Sequence, residues 1–156
     1  MGLTIGQRSI IQNNWVTVAS NIQEYGDELF SRYLSANPGD IDFFPQFVGD
    51  GEIFNFADLR SKPEFQDHTL TVMLFLSKIV ACLTEIEVAG SLLQERVRTH
   101  FGRGISMAQF ERMLDLMPRF LQETAGANGQ CADAWRVAIA TLLPFMRQEF
   151  SRCQAQ

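Results

Sequence analysis

Apolar residues recur at steps of three and four along nearly the whole of this 156-residue chain, and sustained apolar/polar alternation is almost absent. Steps of three and four place one apolar stripe on an α-helix, whereas alternation is what a half-buried strand needs, so the pattern restricts the chain to an all-α fold. Local signals set the boundaries. Thr4 and Gln7 form a capping box that opens a first helix running through Trp15 to about Ile22. Tyr25 to Leu34 continues helical after a bend and stops at Ala36-Asn37-Pro38-Gly39, because Pro38 pushes Asn37 out of the helical region. An aromatic connector, Asp42 to Phe47, and a glycine-rich loop, Val48-Gly49-Asp50-Gly51, come next. A long helix starts near Ser61-Lys62-Pro63-Glu64, with Pro63 suited to its first turn, and runs to about Leu83. Glu87 to His100, Ser106 to Thr124 and Cys131 to Arg152 follow, the first two separated by Gly102-Arg103-Gly104. The expectation is seven to eight helices in a single domain over residues 1–156. Pro118 and Pro144 should kink the last two helices, or else break one of them.

Charge and hydropathy narrow the function. Thirteen basic against eighteen acidic side chains leave a net charge of −5 with no Lys/Arg run, which argues against nucleic-acid binding. The longest apolar stretch, Val72 to Leu83, is interrupted by Ser77 and Lys78 and falls well short of the roughly 20 residues of a membrane span. The opening MGLTIGQRS lacks the apolar centre of a secretory signal, and Cys82, Cys131 and Cys153 are odd in number with no CxxC. A reduced, cytoplasmic setting with free thiols is expected. The chain could also pair with a second copy as a homodimer.

The two histidines, His68 and His100, both fall on apolar helix faces. Phe65, His68, Val72, Phe75 and Ile79 share one stripe, and Leu93, Val97 and His100 share another. A buried imidazole without a partner costs about 1–3 kcal/mol, so something should lie between the two if their helices face each other. One alternative is a pair of ordinary, satisfied histidines. Zinc wants four close N/S/O ligands, and only Asp67 stands beside either histidine in sequence. A nucleophile–histidine relay has no local signature here. A planar iron macrocycle fits better, since imidazole is its usual ligand and thirteen phenylalanines supply an apolar slot.

Taken in order, these residues resemble the globin family, particularly its single-domain invertebrate members, over residues 8–152. Trp15 matches the tryptophan of the family's first helix. Pro38, Phe44 and Phe47 match its short third helix and haem-stacking phenylalanine. His68 with Val72 resembles the distal pair, and His100-Phe101-Gly102-Arg103-Gly104-Ile105 resembles the proximal histidine with its H-x-x-R-G-[IV] break. The resemblance implies haem b (iron protoporphyrin IX) held through His100, whose other ring nitrogen is fixed by a backbone carbonyl one turn earlier. His68 would donate a hydrogen bond to bound oxygen, and Val72 would crowd the ligand. Phe44 would stack on the porphyrin, with Phe30 at the pocket's ceiling. Ile105 would pack on the haem edge and Arg103 would meet a propionate. Phe44 and Phe47 could instead be plain core aromatics, and Arg103 could simply solvate a turn.

Three features depart from the family pattern. Arg96 stands four residues before His100 where an apolar side chain is usual, so either Val97 takes the inward place or Arg96 reaches a propionate. The stretch between the histidines is about three residues longer than is common. Thr71 occupies a position where a basic residue often meets a propionate. The implied function is reversible binding of oxygen, carbon monoxide or nitric oxide, for storage, transport or sensing. A bis-histidyl haem with His68 as sixth ligand, in a redox, sensing or nitric oxide-scavenging role, is the alternative. Methionines 107, 113, 117 and 146 read as core filler rather than axial ligands. An enzyme proper is not expected, beyond secondary nitric oxide dioxygenase or peroxidase-like activity.

Overall fold

The Thr4 side chain accepts from the Gln7 amide at 3.1 Å, and the Gln7 side chain accepts from the Thr4 amide at 2.9 Å, so the first helix begins where its capping box places it. The computed structural model describes residues 2–48 and 55–156, and within them the chain forms seven α-helices and no strand. They are α1 (Ile5–Ala19), α2 (Ile22–Ala36), α3 (Phe56–Leu59), α4 (Pro63–Ala81), α5 (Ile86–Phe101), α6 (Met107–Thr124) and α7 (Gly129–Gln154). Two 3-10 turns, Pro38–Phe43 and Pro45–Phe47, make up the aromatic connector, each opening on a proline whose missing N–H costs nothing at a first position. The glycine-rich loop expected after Val48 lies outside the described residues. Among those residues no helix is long and apolar enough to cross a membrane.

Some boundaries differ from expectation for local reasons. α1 stops at Ala19 rather than Ile22, its last carbonyls closed by the Ser20 and Asn21 amides, which frees Ile22 to begin α2. α3 was not expected, because four residues are too few for a 3.6-residue period to register. α7 starts two residues early, since the Asn128 side chain accepts from the Cys131 amide at 2.8 Å and caps it. α6 and α7 both continue through Pro118 and Pro144, which excludes the extra break.

The helices that carry the histidines are each docked through a glycine. On α2, a β-carbon at Gly26 would stand 2.6 Å from Met73 Cγ and 3.3 Å from the Thr69 carbonyl, so α4 lies against bare backbone. On α5, a β-carbon at Gly90 would stand 2.3 Å from the Phe145 ring, and α7 holds that helix equally close. Beside Gly26 the buried Asp27 carboxylate accepts from Thr69 Oγ1 at 2.6 Å and from Gln23 Nε2 at 2.9 Å, a polar lock on the same crossing. Trp15 and Trp135 pack with ring centroids 5.8 Å apart. Their indole N–H groups donate to Ser77 and Asn14 at 2.9 and 3.1 Å, tying α1, α4 and α7 together. The core thus fixes both histidine helices without filling the space between them.

Candidate functional site

That space is a cavity of about 500 Å³, within the size range of small-molecule sites. His68, Val72 and Phe75 face it from α4, and Leu93, Arg96 and His100 from α5. Phe30 and Tyr33 of α2 and Phe44 of the connector close one end. Met113 and Met117 of α6 and Met146 of α7 form its deep wall. The lining is apolar except at the two imidazoles, at the rim and around Tyr33.

His100 is held in one orientation by backbone. Its Nδ1 lies 2.7 Å from the Arg96 carbonyl oxygen, with Thr99 Oγ1 a further 3.3 Å neighbour. A carbonyl can only accept, so Nδ1 carries the proton and Nε2 keeps its lone pair, with no protein partner among the described residues. Burial lowers the pKa of His100, against the raising effect of that backbone bond, and the charges of Arg103 and Arg96 add to the lowering. The chain can turn immediately afterwards because Gly104 adopts a φ of +82°, a left-handed conformation that glycine reaches without strain. The amides of Arg103 and Ile105 then bond back to the His100 carbonyl at 3.0 and 3.2 Å.

His68 is packed into a cage of rings. Phe30, Phe44 and Phe47 stand 4.9, 5.0 and 5.6 Å from the imidazole, centroid to centroid, in edge-on arrangements. Burial, and then the charges of His100 and Arg103, push its pKa down to about 4. The ring is therefore neutral at pH 7, with one N–H donor and one acceptor nitrogen.

Seven of the nine residues singled out from the sequence line this cavity: His68, His100, Phe30, Phe44, Val72, Arg103 and Ile105. Phe47 lies behind the wall, fully buried and stacked on Phe44 at 4.9 Å. Val97 takes the inward place on α5, fully buried in the core behind the cavity. Arg96 instead reaches the rim, with its guanidinium 4.6 Å from the Phe75 ring centroid across the mouth. Arg103 stands exposed at the rim with no ion pair among the described residues. Sequence reading missed Tyr33, Asp40 and Phe110. Tyr33 follows Phe30 by three residues and so shares its helix face, a signal that was available; the approach of Phe110 to within 5.3 Å of His100 was not. No three His, Cys, Asp or Glu side chains come together to hold a metal among the described residues.

An all-α fold with an apolar slot between two facing histidine helices defines a narrow class of protein. Residues 27–146 match the family model described as globin, and the chain belongs to that family. It is 23% identical over 147 residues to a globin of Aplysia limacina, covering 94% of this chain and 97% of that one. It is 26% identical to globin CTT-VIIB-8 of Chironomus thummi thummi, covering 88% and 82% of the two chains. Among solved structures, the hemoglobin of the botfly Gasterophilus intestinalis superposes with a TM-score of 0.84 at 17% identity, covering 96% of this chain and 99% of that one.

Proposed function

We propose that this chain is a single haem-binding unit that holds iron protoporphyrin IX between α4 and α5 and binds oxygen or another diatomic gas reversibly. The observation that carries the reading is the state of His100: Nδ1 committed to a backbone carbonyl, Nε2 free at the cavity wall. Among the described residues no third protein ligand stands near the two histidines, so a metal held there would bring most of its own coordination sphere, as a porphyrin does. The apolar, aromatic-walled cavity suits such a flat, greasy group. Proteins similar to this one are described as globin, hemoglobin and myoglobin, which supports the same reading.

Bound there, the group would supply an iron atom able to take up a small gas. The chain's own residues do the rest. Nε2 of His100 would hold the iron, and the backbone bond at Nδ1 keeps the ring aimed and raises its basicity. Neutral His68 would offer an N–H to a gas held in the cavity, and Val72 would narrow the space available to it. Phe44, backed by Phe47, and Phe30 wall the slot and exclude water, and Ile105 closes an edge. Arg103 and Arg96 place two positive charges at the mouth, where the carboxylates of the porphyrin would emerge. The basic side chain absent at Thr71 is thus replaced from α5 and the turn that follows it.

The three rings packed on His68 hold it to its own wall, and this favours a five-coordinate ferrous state over the bis-histidyl alternative. The visible spectrum of the haem-reconstituted, reduced protein tests both steps. One broad visible band that gives way to two on adding carbon monoxide is expected. Two sharp bands before any gas is added would make His68 a sixth ligand. A folded protein that takes up no haemin would end the proposal.

A further inference from the structure

Tyr33 is 3% exposed and lines the same cavity as the two histidines. Its ring lies 6.3 Å from Phe30, which in turn packs 4.9 Å from His68. The Tyr33 hydroxyl donates to the carboxylate of Asp40, itself 8% exposed, and Arg112 Nη2 donates to the same carboxylate at 3.1 Å. A buried phenol on a haem-sized cavity is thus joined to a base, and the base is joined to a cation whose side chain is 41% exposed.

We infer that Tyr33 is the site at which this protein gives up an electron when its haem meets hydrogen peroxide, with Asp40 receiving the hydroxyl proton. The inference rests on the haem-binding reading above. A phenol loses an electron far more easily when its proton leaves to a base in the same event, because the radical cation it would otherwise form is a very strong acid. The Tyr33 O–H bond breaks, the proton passes to the Asp40 carboxylate, and a neutral phenoxyl radical is left. Burial, and then the bond to Asp40, raise the Tyr33 pKa, so the phenol is protonated at neutral pH and the two transfers must be coupled. Peroxide needs two electrons and two protons to become two waters. Tyr33 supplies one electron, the haem supplies the other, and solvent supplies both protons. One equivalent of a one-electron reductant such as ascorbate then refills the radical, whose proton returns from Asp40, and a second equivalent returns the haem to its ferric state.

The other oxidisable side chains lack this arrangement. The second tyrosine, Tyr25, donates to the Thr124 backbone carbonyl at 3.2 Å, and an amide oxygen is a negligible base. Trp15 and Trp135 donate to a serine hydroxyl and an asparagine amide. None of these three, and none of the cysteines, lines the cavity.

With only two tyrosines in the chain, the assignment can be tested directly. Ferric haem-loaded protein is mixed with hydrogen peroxide, frozen rapidly and examined by electron paramagnetic resonance, with ring-deuterated tyrosine to identify a tyrosyl signal. The signal should persist in Tyr25→Phe and be lost completely in Tyr33→Phe. In folded Asp40→Asn, which keeps the phenol without its base, it should fall severalfold. A tyrosyl signal surviving in Tyr33→Phe, or only a tryptophanyl signal in the parent protein, would overturn the assignment, as would an undiminished signal in folded Asp40→Asn. Absorbance establishes haem loading first: failure to load overturns the proposed function and this inference together, whereas a loaded protein with no tyrosyl signal overturns this inference alone.

Discussion

The Arg96 carbonyl accepts a hydrogen bond from His100 Nδ1 at 2.7 Å, and because the acceptor is backbone, no change of the Arg96 side chain deletes it. Helix geometry supplies it: residue 96 is one turn before residue 100, and α5 is helical through both. The imidazole is thus aimed before anything binds, so little of its binding energy is lost in ordering the ring.

His100→Gly is expected to abolish stable haem retention, and added imidazole should restore it in part by occupying the vacated space. Haemin titration followed by absorbance measures both. If the variant retained full haem stoichiometry without imidazole, His100 would not be the ligand.

His68→Leu removes the N–H on the facing wall while keeping an apolar side chain among Phe30, Phe44 and Phe47. A hydrogen bond worth about 1 kcal/mol corresponds to roughly a fivefold faster oxygen dissociation. Stopped-flow displacement of oxygen by carbon monoxide gives the rate. An unchanged rate would mean that His68 donates no such bond.

Most of the fold and half of the site's logic could be read before any coordinates. Capping residues and prolines mark helix ends by satisfying or removing backbone donors, and those are local events that a sequence displays directly. The stripe through His68 and Val72 was legible for the same reason. The inward place of Val97 was not settled, because on a helix so close to α7 a rotation of one position depends on the bare backbone at Gly90. The Tyr33–Asp40–Arg112 set joins α2, a 3-10 turn and α6, and no period links elements so far apart.

Gly90→Ala tests that close crossing. A methyl group 2.3 Å from the Phe145 ring cannot be accommodated without shifting α5 against α7, and overpacking of this kind costs about 1–3 kcal/mol. Urea denaturation should show the loss, and Phe145→Leu in the same chain should recover part of it. Additive losses in the double variant would place the strain elsewhere.

Tyr33→Phe has a pH-dependent consequence for stability. In the unfolded chain the phenol titrates near its ordinary value of about 10. In the folded chain burial, and then the hydrogen bond and charge of Asp40, raise it. The folded state therefore keeps a proton that the unfolded state releases, and the stabilisation is fully present below about pH 10 and lost as pH rises toward the folded value. Below that window the variant should be less stable by about 1 kcal/mol, since Asp40 loses one donor and keeps Arg112. Through the window the parent should lose up to about 1.4 kcal/mol per pH unit more than the variant, which has no such proton to release. Urea titrations of both proteins in steps from pH 8 to pH 11 would reveal a stability difference that narrows with rising pH. A constant difference would mean that the Tyr33 hydroxyl titrates alike in both states, and that its bond to Asp40 does not hold the proton.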